Sequence, residues 1–179
     1  MHRALAPLLL PLLLAACAGP APRTGPNLAA AQHYPGLNCA PFARAEVGLA
    51  LHGDAADWWA EANGRYLRGD RPEIGSVLVF RRSARLPSGH VSVVSRLLDR
   101  RHILVIQANW VPGELAEDQL VVDVSPRNDW SRVRVWYPPT GQLGTHPYAT
   151  YGFIAAPAKL THDVLLVRAV PAARAVSGL

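Results

Sequence analysis

Cysteine and lysine are both scarce in this chain of 179 residues, and each shortage argues against a class of protein. Only two cysteines occur, Cys17 and Cys39, which excludes a framework of several disulfides. Lys159 is the single lysine among 18 basic residues, and no run of five like charges occurs. We therefore interpret the net charge of +5 as a solvated basic surface, which disfavours nucleic-acid binding.

Metal-ligand spacing is also missing from the sequence. Beyond the first residues of the chain, the histidines other than His90 are scattered, and only Cys39 could add a thiolate; these histidines are His33, His52, His102, His146 and His162. Tetrahedral metal sites need clustered Cys, His or carboxylate ligands. We therefore expect no metal site, and nothing in the sequence implies a cofactor.

Long hydrophobic runs are lacking as well, and the one apolar stretch lies at the N-terminus. Residues 4–16 are too few to cross a bilayer as a stable helix, so residues 1–17 are interpreted as a secretory signal. Residues 14–17, Leu-Ala-Ala-Cys, resemble the bacterial lipobox, in which the cysteine is acylated. The alternative is ordinary cleavage after Ala18. A lipidated Cys17 predicts a protein anchored on the periplasmic side of the bacterial cell envelope, in the outer or the inner membrane.

The rest of the chain divides into three parts by composition. Residues 18–34 are rich in Ala, Pro and Gly and predict a flexible tether. Residues 35–154 contain the periodic apolar segments of one domain. Residues 155–179 form a C-terminal extension to which we assign no role.

Helical patterns precede strand patterns within this domain. A helix is predicted from Cys39, with Asn38 as its N-cap and Gly53 at its end, and a second helix is predicted over residues 54–63. Five strands are predicted at residues 76–80, 91–95, 103–108, 120–124 and 133–137. This order predicts an α+β fold, with N-terminal helices packed on an antiparallel sheet of about five strands.

Cys39 is a candidate nucleophile because of its place at the start of a helix. Unpaired N–H groups and the helix dipole favour an anion there, which is expected to lower the pKa of the thiol. The same N–H groups could stabilise a developing oxyanion. The alternative is a buried, inert thiol.

His90 is the candidate base, and two amides are candidates to orient its ring. Gln107 and Asn109 lie two residues apart on one predicted strand and share a face. If residues 99 and 100 form a two-residue turn, Asn109 lies opposite His90 with Gln107 on the diagonal. A shift of two residues would bring Gln107 opposite His90 instead. Both registers give the nucleophile, base and orienting amide of papain-like Cys-His-Asn enzymes.

Four segments together resemble the CHAP domain, the cysteine- and histidine-dependent amidohydrolase and peptidase family of the papain-like superfamily. They are residues 38–44 around Cys39, residues 72–80, residues 89–94 around His90, and residues 107–110. The resemblance extends over residues 36–137 and implies a papain-like fold. It also implies a hydrolase that cuts amide bonds of peptidoglycan through a thioester, either as an N-acetylmuramoyl-L-alanine amidase or as an endopeptidase. Peptidoglycan or a cell-wall peptide is then the expected substrate.

One residue departs from the family pattern. Many such domains carry Glu where this chain has Gln107, and an uncharged amide does not stabilise an imidazolium ion by charge. Two alternatives therefore stay open. One is a non-catalytic CHAP-like lipoprotein that binds cell wall or a partner protein. The other is an amidase for a small peptide conjugate such as glutathionylspermidine.

Overall fold

A computed structural model describes residues 32–33 and 36–155 of the chain. The predicted signal with Cys17, most of the predicted tether and all but the first residue of the C-terminal extension lie outside the described residues. The helices are α1 (Cys39–Val47) and α2 (Trp58–Glu61), with 3₁₀ turns at Ala55–Asp57 and Pro138–Thr140. The strands are β1 (Gln32–His33), β2 (Arg68–Gly69), β3 (Val77–Phe80), β4 (His90–Leu97), β5 (His102–Ala108), β6 (Glu114–Asp123), β7 (Arg132–Tyr137), β8 (Gln142–Leu143) and β9 (Tyr148–Ile154).

Six of these strands close into an antiparallel barrel. Hydrogen-bonded neighbours run in the order β6-β5-β4-β3-β9-β7, and β7 pairs back onto β6. The closing pairs include Val121 with Val135 and Asp123 with Val133. Closure pairs both edges of the sheet, so the six strands leave few unpaired backbone groups along the barrel wall.

The predicted fold class is therefore wrong. The described part of the chain is mostly sheet with two short helices, of nine and four residues, and it is not an α+β fold with helices packed on an open papain-like sheet of five strands. The discrepancy has two sources. The prediction omitted β9, and it could not foresee the β6–β7 pairing, which joins strands through tertiary contacts rather than through a local pattern.

Two hydrophobic clusters lie on the two faces of the barrel wall. Leu78 and Phe80 belong to the cluster that includes Val121, Val133 and Val135. Their neighbours in β3, Val77 and Val79, belong instead to the cluster that packs against α1. Alternation along a strand sends successive side chains to opposite faces, and here both faces are covered. All four residues of β3 are consequently buried.

Helix α1 begins at Cys39 as predicted, but it is shorter than predicted. It ends at Val47, and Gly48 follows in the left-handed conformation with φ 68°. Ala43 and Val47 are buried against the outer face of β4. None of the helices within the described ranges has the length and apolar character needed to traverse a bilayer.

The β4–β5 hairpin determines how the site residues align. The predicted two-residue turn is wrong, because residues 98–101 connect the two strands. Leu97 pairs with Ile103, and the register then shifts at Ser95 through a β-bulge. Beyond this bulge Val93 pairs with Ile106, which is the predicted register. The register next to the candidate base is therefore the predicted one. The four-residue turn and the bulge that produce this register were not predicted.

Candidate active site

Cys39 occupies the first position of α1 and is half-buried. Burial raises the pKa of its thiol, and hydrogen bonds with the backbone amides of Val91, Ala40 and Cys39 itself lower it by less. The net direction is opposite to the lowered pKa expected from a helix start. Desolvation outweighs the amides here because the thiol packs against the apolar cluster on the outer face of β4.

His90 is the first residue of β4, and its side chain is almost fully buried. Its Nε2 lies 2.9 Å from Oε1 of Gln107, on the neighbouring strand β5. The ring packs edge-on against Trp110, with 5.0 Å between ring centroids, and against Phe80, with 5.5 Å. Burial lowers the pKa of His90 to about 4, a shift that the hydrogen bond with Gln107 only partly opposes. The imidazole is therefore neutral at pH 7 and can accept a proton.

The thiol and the imidazole both lie near the start of β4. The amide of Val91, which hydrogen-bonds the sulfur, belongs to the peptide group that joins Val91 to His90. Cys39 reaches this peptide group from the helix side of the strand. His90 pairs with Phe80, whose side chain belongs to the cluster on the other face. Helix α1 and strand β4 thus bring the two candidate groups to one end of the barrel.

Gln107 is the direct partner of His90, and it is buried within a polar cluster. Its Oε1 also accepts a hydrogen bond from Ser92 Oγ at 2.5 Å. Its Nε2 donates to Oε1 of Gln119 at 2.7 Å. All four side chains are buried, and each has a hydrogen-bond partner. A satisfied buried network holds its members in fixed orientations.

Asn109 does not contact the imidazole, in contrast to the prediction. It follows the last residue of β5 with φ 62°, so its side chain leaves the strand face that the register assigned to it. Its Oδ1 accepts from the Gly113 backbone at 2.8 Å, and its Nδ2 lies 3.4 Å from Oδ1 of Asn38. Asn38 immediately precedes α1. Asn109 therefore links the end of β5 to the start of α1, and among the described residues Gln107 is the side chain that hydrogen-bonds the ring.

An open groove of about 470 Å³ adjoins the His90 ring through Trp110. Its lining includes Arg85, His146 and Tyr148, and no acidic side chain of the described residues contributes to it. The Arg85 guanidinium stacks on Tyr148 at 4.1 Å and donates to the Pro147 carbonyl at 3.0 Å. This fixed cation beside an aromatic wall makes the groove suitable for an anionic segment of a substrate.

The neighbouring arginines have other partners. Arg82 forms ion pairs with Asp57 at 2.6 Å and Asp54 at 2.8 Å. The Arg81 guanidinium lies over the Tyr151 ring at 4.2 Å. Of Arg81, Arg82 and Arg85, Arg85 is the one that lines the groove. Across residues 32–33 and 36–155, no three Cys, His, Asp or Glu side chains are grouped so as to hold a metal ion.

Part of the chain matches a known protein family. Residues 29–109 match the CHAP domain family. This match supports a CHAP domain in this part of the chain, and CHAP domains are generally hydrolase domains of the amidase or peptidase type. The matched segment contains Cys39, His90 and Gln107 and ends at Asn109. A search of the curated proteins finds no match.

Sequence reasoning missed the contributions of Ser92 and Gln119. Ser92 shares the His90 face of β4, so the strand alternation was already a signal for its proximity. Gln119 lies on β6, where the β5–β6 register shifts between Val105 and Gln107. This irregularity could not be counted from the sequence, so no simple alternation would have located Gln119 beside Gln107.

Proposed function

We propose that this chain is a cysteine hydrolase of the bacterial cell envelope that cleaves an amide bond of peptidoglycan. Cys39 is the nucleophile and His90 is the base. The observation that carries the proposal is the placement of the Cys39 sulfur against the peptide group that follows His90, whose ring is held by Gln107. The CHAP match supports a peptidoglycan-related substrate. The scissile bond is the N-acetylmuramoyl-L-alanine link or a peptide bond of the stem or cross-bridge.

The proposed reaction passes through a thioester. Sγ of Cys39 attacks the amide carbonyl while Nδ1 of His90 takes the thiol proton. Collapse of the tetrahedral intermediate breaks the C–N bond, and His90 returns the proton to the leaving amine. A water molecule then attacks the thioester and gives a proton to His90; collapse of this second intermediate breaks the C–S bond, releases the carboxylic acid, and returns the proton from His90 to the leaving sulfur of Cys39. Backbone N–H groups at the start of α1 stabilise the oxyanion in both steps.

Both pKa shifts favour a neutral thiol and a neutral imidazole over a preformed ion pair. Proton transfer from Cys39 therefore accompanies the attack on the carbonyl. Gln107 suits this mode, because an uncharged amide orients a neutral ring without stabilising its cation. We also propose that the protein is anchored through lipidated Cys17 on the periplasmic side of the envelope. This proposal rests on residues 1–17 alone.

The test is product release from purified peptidoglycan by the full chain, with Cys39→Ala and Cys39→Ser as matched variants. Mass spectrometry of the soluble products identifies the bond. Free stem peptides indicate the amidase, and new amino termini within the peptides indicate the endopeptidase. We expect products from the wild type and none from Cys39→Ala. Equal release by both proteins would reject Cys39 as the nucleophile.

A non-catalytic, wall-binding CHAP-like protein is the second candidate, and the uncharged resting pair together with Gln107 specifically favours it. Sedimentation with insoluble peptidoglycan distinguishes the two. A binder would co-sediment in the wild-type and Cys39→Ala forms equally and release no products from either. A hydrolase would release products in a Cys39-dependent manner.

A further inference from the structure

A chain of three hydrogen bonds runs from the backbone of β7 to the His90 ring. Nε2 of Gln119 donates to the Trp136 carbonyl at 2.7 Å, and Nε2 of Gln107 donates to Oε1 of Gln119 at 2.7 Å. Oε1 of Gln107 lies 2.9 Å from Nε2 of His90. Gln107 and Gln119 are both buried, so water does not offer them alternative partners.

These three hydrogen bonds all run in one donor-to-acceptor direction, and the Trp136 carbonyl sets that direction. A backbone carbonyl can only accept a hydrogen bond, so Gln119 must turn its NH₂ toward Trp136 and its oxygen toward Gln107. Gln107 must meet that oxygen with its own NH₂, which leaves its oxygen facing His90. An amide oxygen only accepts, so the nitrogen of His90 that faces it must carry a proton. Reversing either amide would oppose two oxygens in a buried site.

Ser92 completes the cluster without setting its direction. Its hydroxyl donates to Oε1 of Gln107, but a hydroxyl can also accept and would adapt to a reversed amide. Removing Gln119 would therefore leave Gln107 free to present either end to Ser92 and His90. The direction depends on Gln119 and the backbone beyond it.

We infer that Gln119 is a positioning residue that acts through Gln107 to hold the proton of His90 on Nε2, which leaves Nδ1 unprotonated. This inference rests on the proposed function in one respect, namely that Nδ1 is the acceptor for the Cys39 proton. The tautomer itself follows from the hydrogen-bond network whether or not the protein turns over substrate.

The same network accounts for Gln107 at a position where the family resemblance led us to expect Glu. A carboxylate has no N–H group and would present an oxygen to Oε1 of Gln119. The Gln119 acceptor therefore matches an amide at position 107 and opposes a charged group there. In this chain, the fixed tautomer of the His90 ring, rather than a negative charge at position 107, prepares His90 to accept a proton.

The experiment reads the tautomer directly. The full chain is labelled with ¹⁵N-histidine, and the two ring nitrogens of His90 are assigned by their couplings to the ring protons at neutral pH. We expect one species, protonated at Nε2. Gln119→Met keeps the side-chain length but removes both hydrogen-bonding ends, so we expect the Nδ1-protonated species to appear and kcat to fall roughly 10- to 100-fold with KM unchanged.

Two further variants keep the inference falsifiable. Glu117→Met places the same side chain at an exposed position of β6 and should leave the His90 spectrum as in the wild type. Gln119→Glu, if Gln119→Met does not fold, should keep the Nε2 tautomer at both pH 5 and pH 8, because a carboxyl in either form presents an oxygen to the NH₂ of Gln107, and an Nδ1-protonated ring in this variant would contradict the inference. A wild-type ring protonated at Nδ1, or an unchanged ring in a folded Gln119→Met protein, would overturn the inference. A tautomer shift in a protein that releases no products would uphold the positioning role and reject only the proposed hydrolysis.

Discussion

Lowering the pH from 7 to 4 should reduce the free energy of unfolding of this protein through one buried group, the imidazole of His90. Burial lowers the pKa of His90 from its usual 6.5 to about 4, so the ring stays neutral in the folded protein until the pH approaches 4. In the unfolded chain the same ring is protonated below about 6.5. Between these two values the unfolded state binds more protons than the folded state, so the free energy of unfolding falls as the pH falls.

The size of the effect follows from the shift. One pKa unit corresponds to about 1.4 kcal/mol, so His90 should contribute about 3 kcal/mol at pH 7 that is mostly lost at pH 4. This is a large part of the stability of a small domain. The contribution is present in full above pH 6.5 and decreases as the pH passes downward toward the folded pKa.

The assay is urea unfolding of the full chain at half-unit pH steps, with His90→Gln as the matched variant. Gln can keep a hydrogen bond to Gln107 but does not titrate, and the carboxyl groups and exposed histidines cancel in the difference between the two proteins. We expect the stability advantage of the wild type to shrink by about 3 kcal/mol between pH 7 and pH 4. A difference that stays constant across this range would refute the burial argument for His90.

Three other predictions concern the surroundings of the site. Gly89→Ala should lower the free energy of unfolding by about 2–4 kcal/mol in urea denaturation, because Gly89 has φ 73° and an added Cβ would lie 2.6 Å from the Ala56 side chain. Alkylation of Cys39 by iodoacetamide should keep accelerating above pH 8.5, because burial raises the pKa of the thiol. Arg85→Gln should raise KM for anionic peptidoglycan fragments about fivefold and leave kcat unchanged, because the guanidinium borders the groove without touching His90.

Each of these has a control or a contrary outcome. Gly64→Ala shares the positive φ, at 72°, but meets open space, so it should cost only about 1 kcal/mol and isolates the steric part at Gly89. A plateau in the alkylation rate near neutral pH would mean that the amides at the helix start prevail over burial. A fall in kcat with unchanged KM in Arg85→Gln would place Arg85 in the chemical step rather than in the groove.

The strands that carry a continuous apolar run were predictable, and β9, which lacks one, was not. Strand β3 and the inner parts of β4 and β5 lie where their apolar runs placed them. Strand β9 contains the polar Thr150 and Gly152 between aromatic residues, so it has no continuous apolar pattern. Without this strand the sheet could not be recognised as a closed barrel, because closure depends on pairing between distant segments.

The residues of the candidate site were easier to predict than the contacts between them. Counting along the hairpin brought Gln107 within reach of His90, and the N-cap pattern placed Cys39 at a helix start. The expected contact of Asn109 with His90 is replaced by contacts with Asn38 and Gly113, because the chain turns to positive φ directly after β5, a change of backbone direction that pairing rules do not anticipate. The pKa of Cys39 also escaped prediction, because burial depends on the whole fold whereas the helix dipole is a local property.

The β-bulge at Ser95 absorbs one extra residue of β4. Arg96 pairs with Leu104 and Val94 pairs with Val105, so Ser95 lies between two consecutive pairs. Because paired residues share a face, deleting Ser95 would join these pairs into a regular ladder and leave His90 on the same face. Deleting one residue between His90 and Val94 would instead shift the register by one and turn His90 toward the helix side. We therefore expect a single deletion to be tolerated at Ser95 and to abolish the site on the inner side of the bulge.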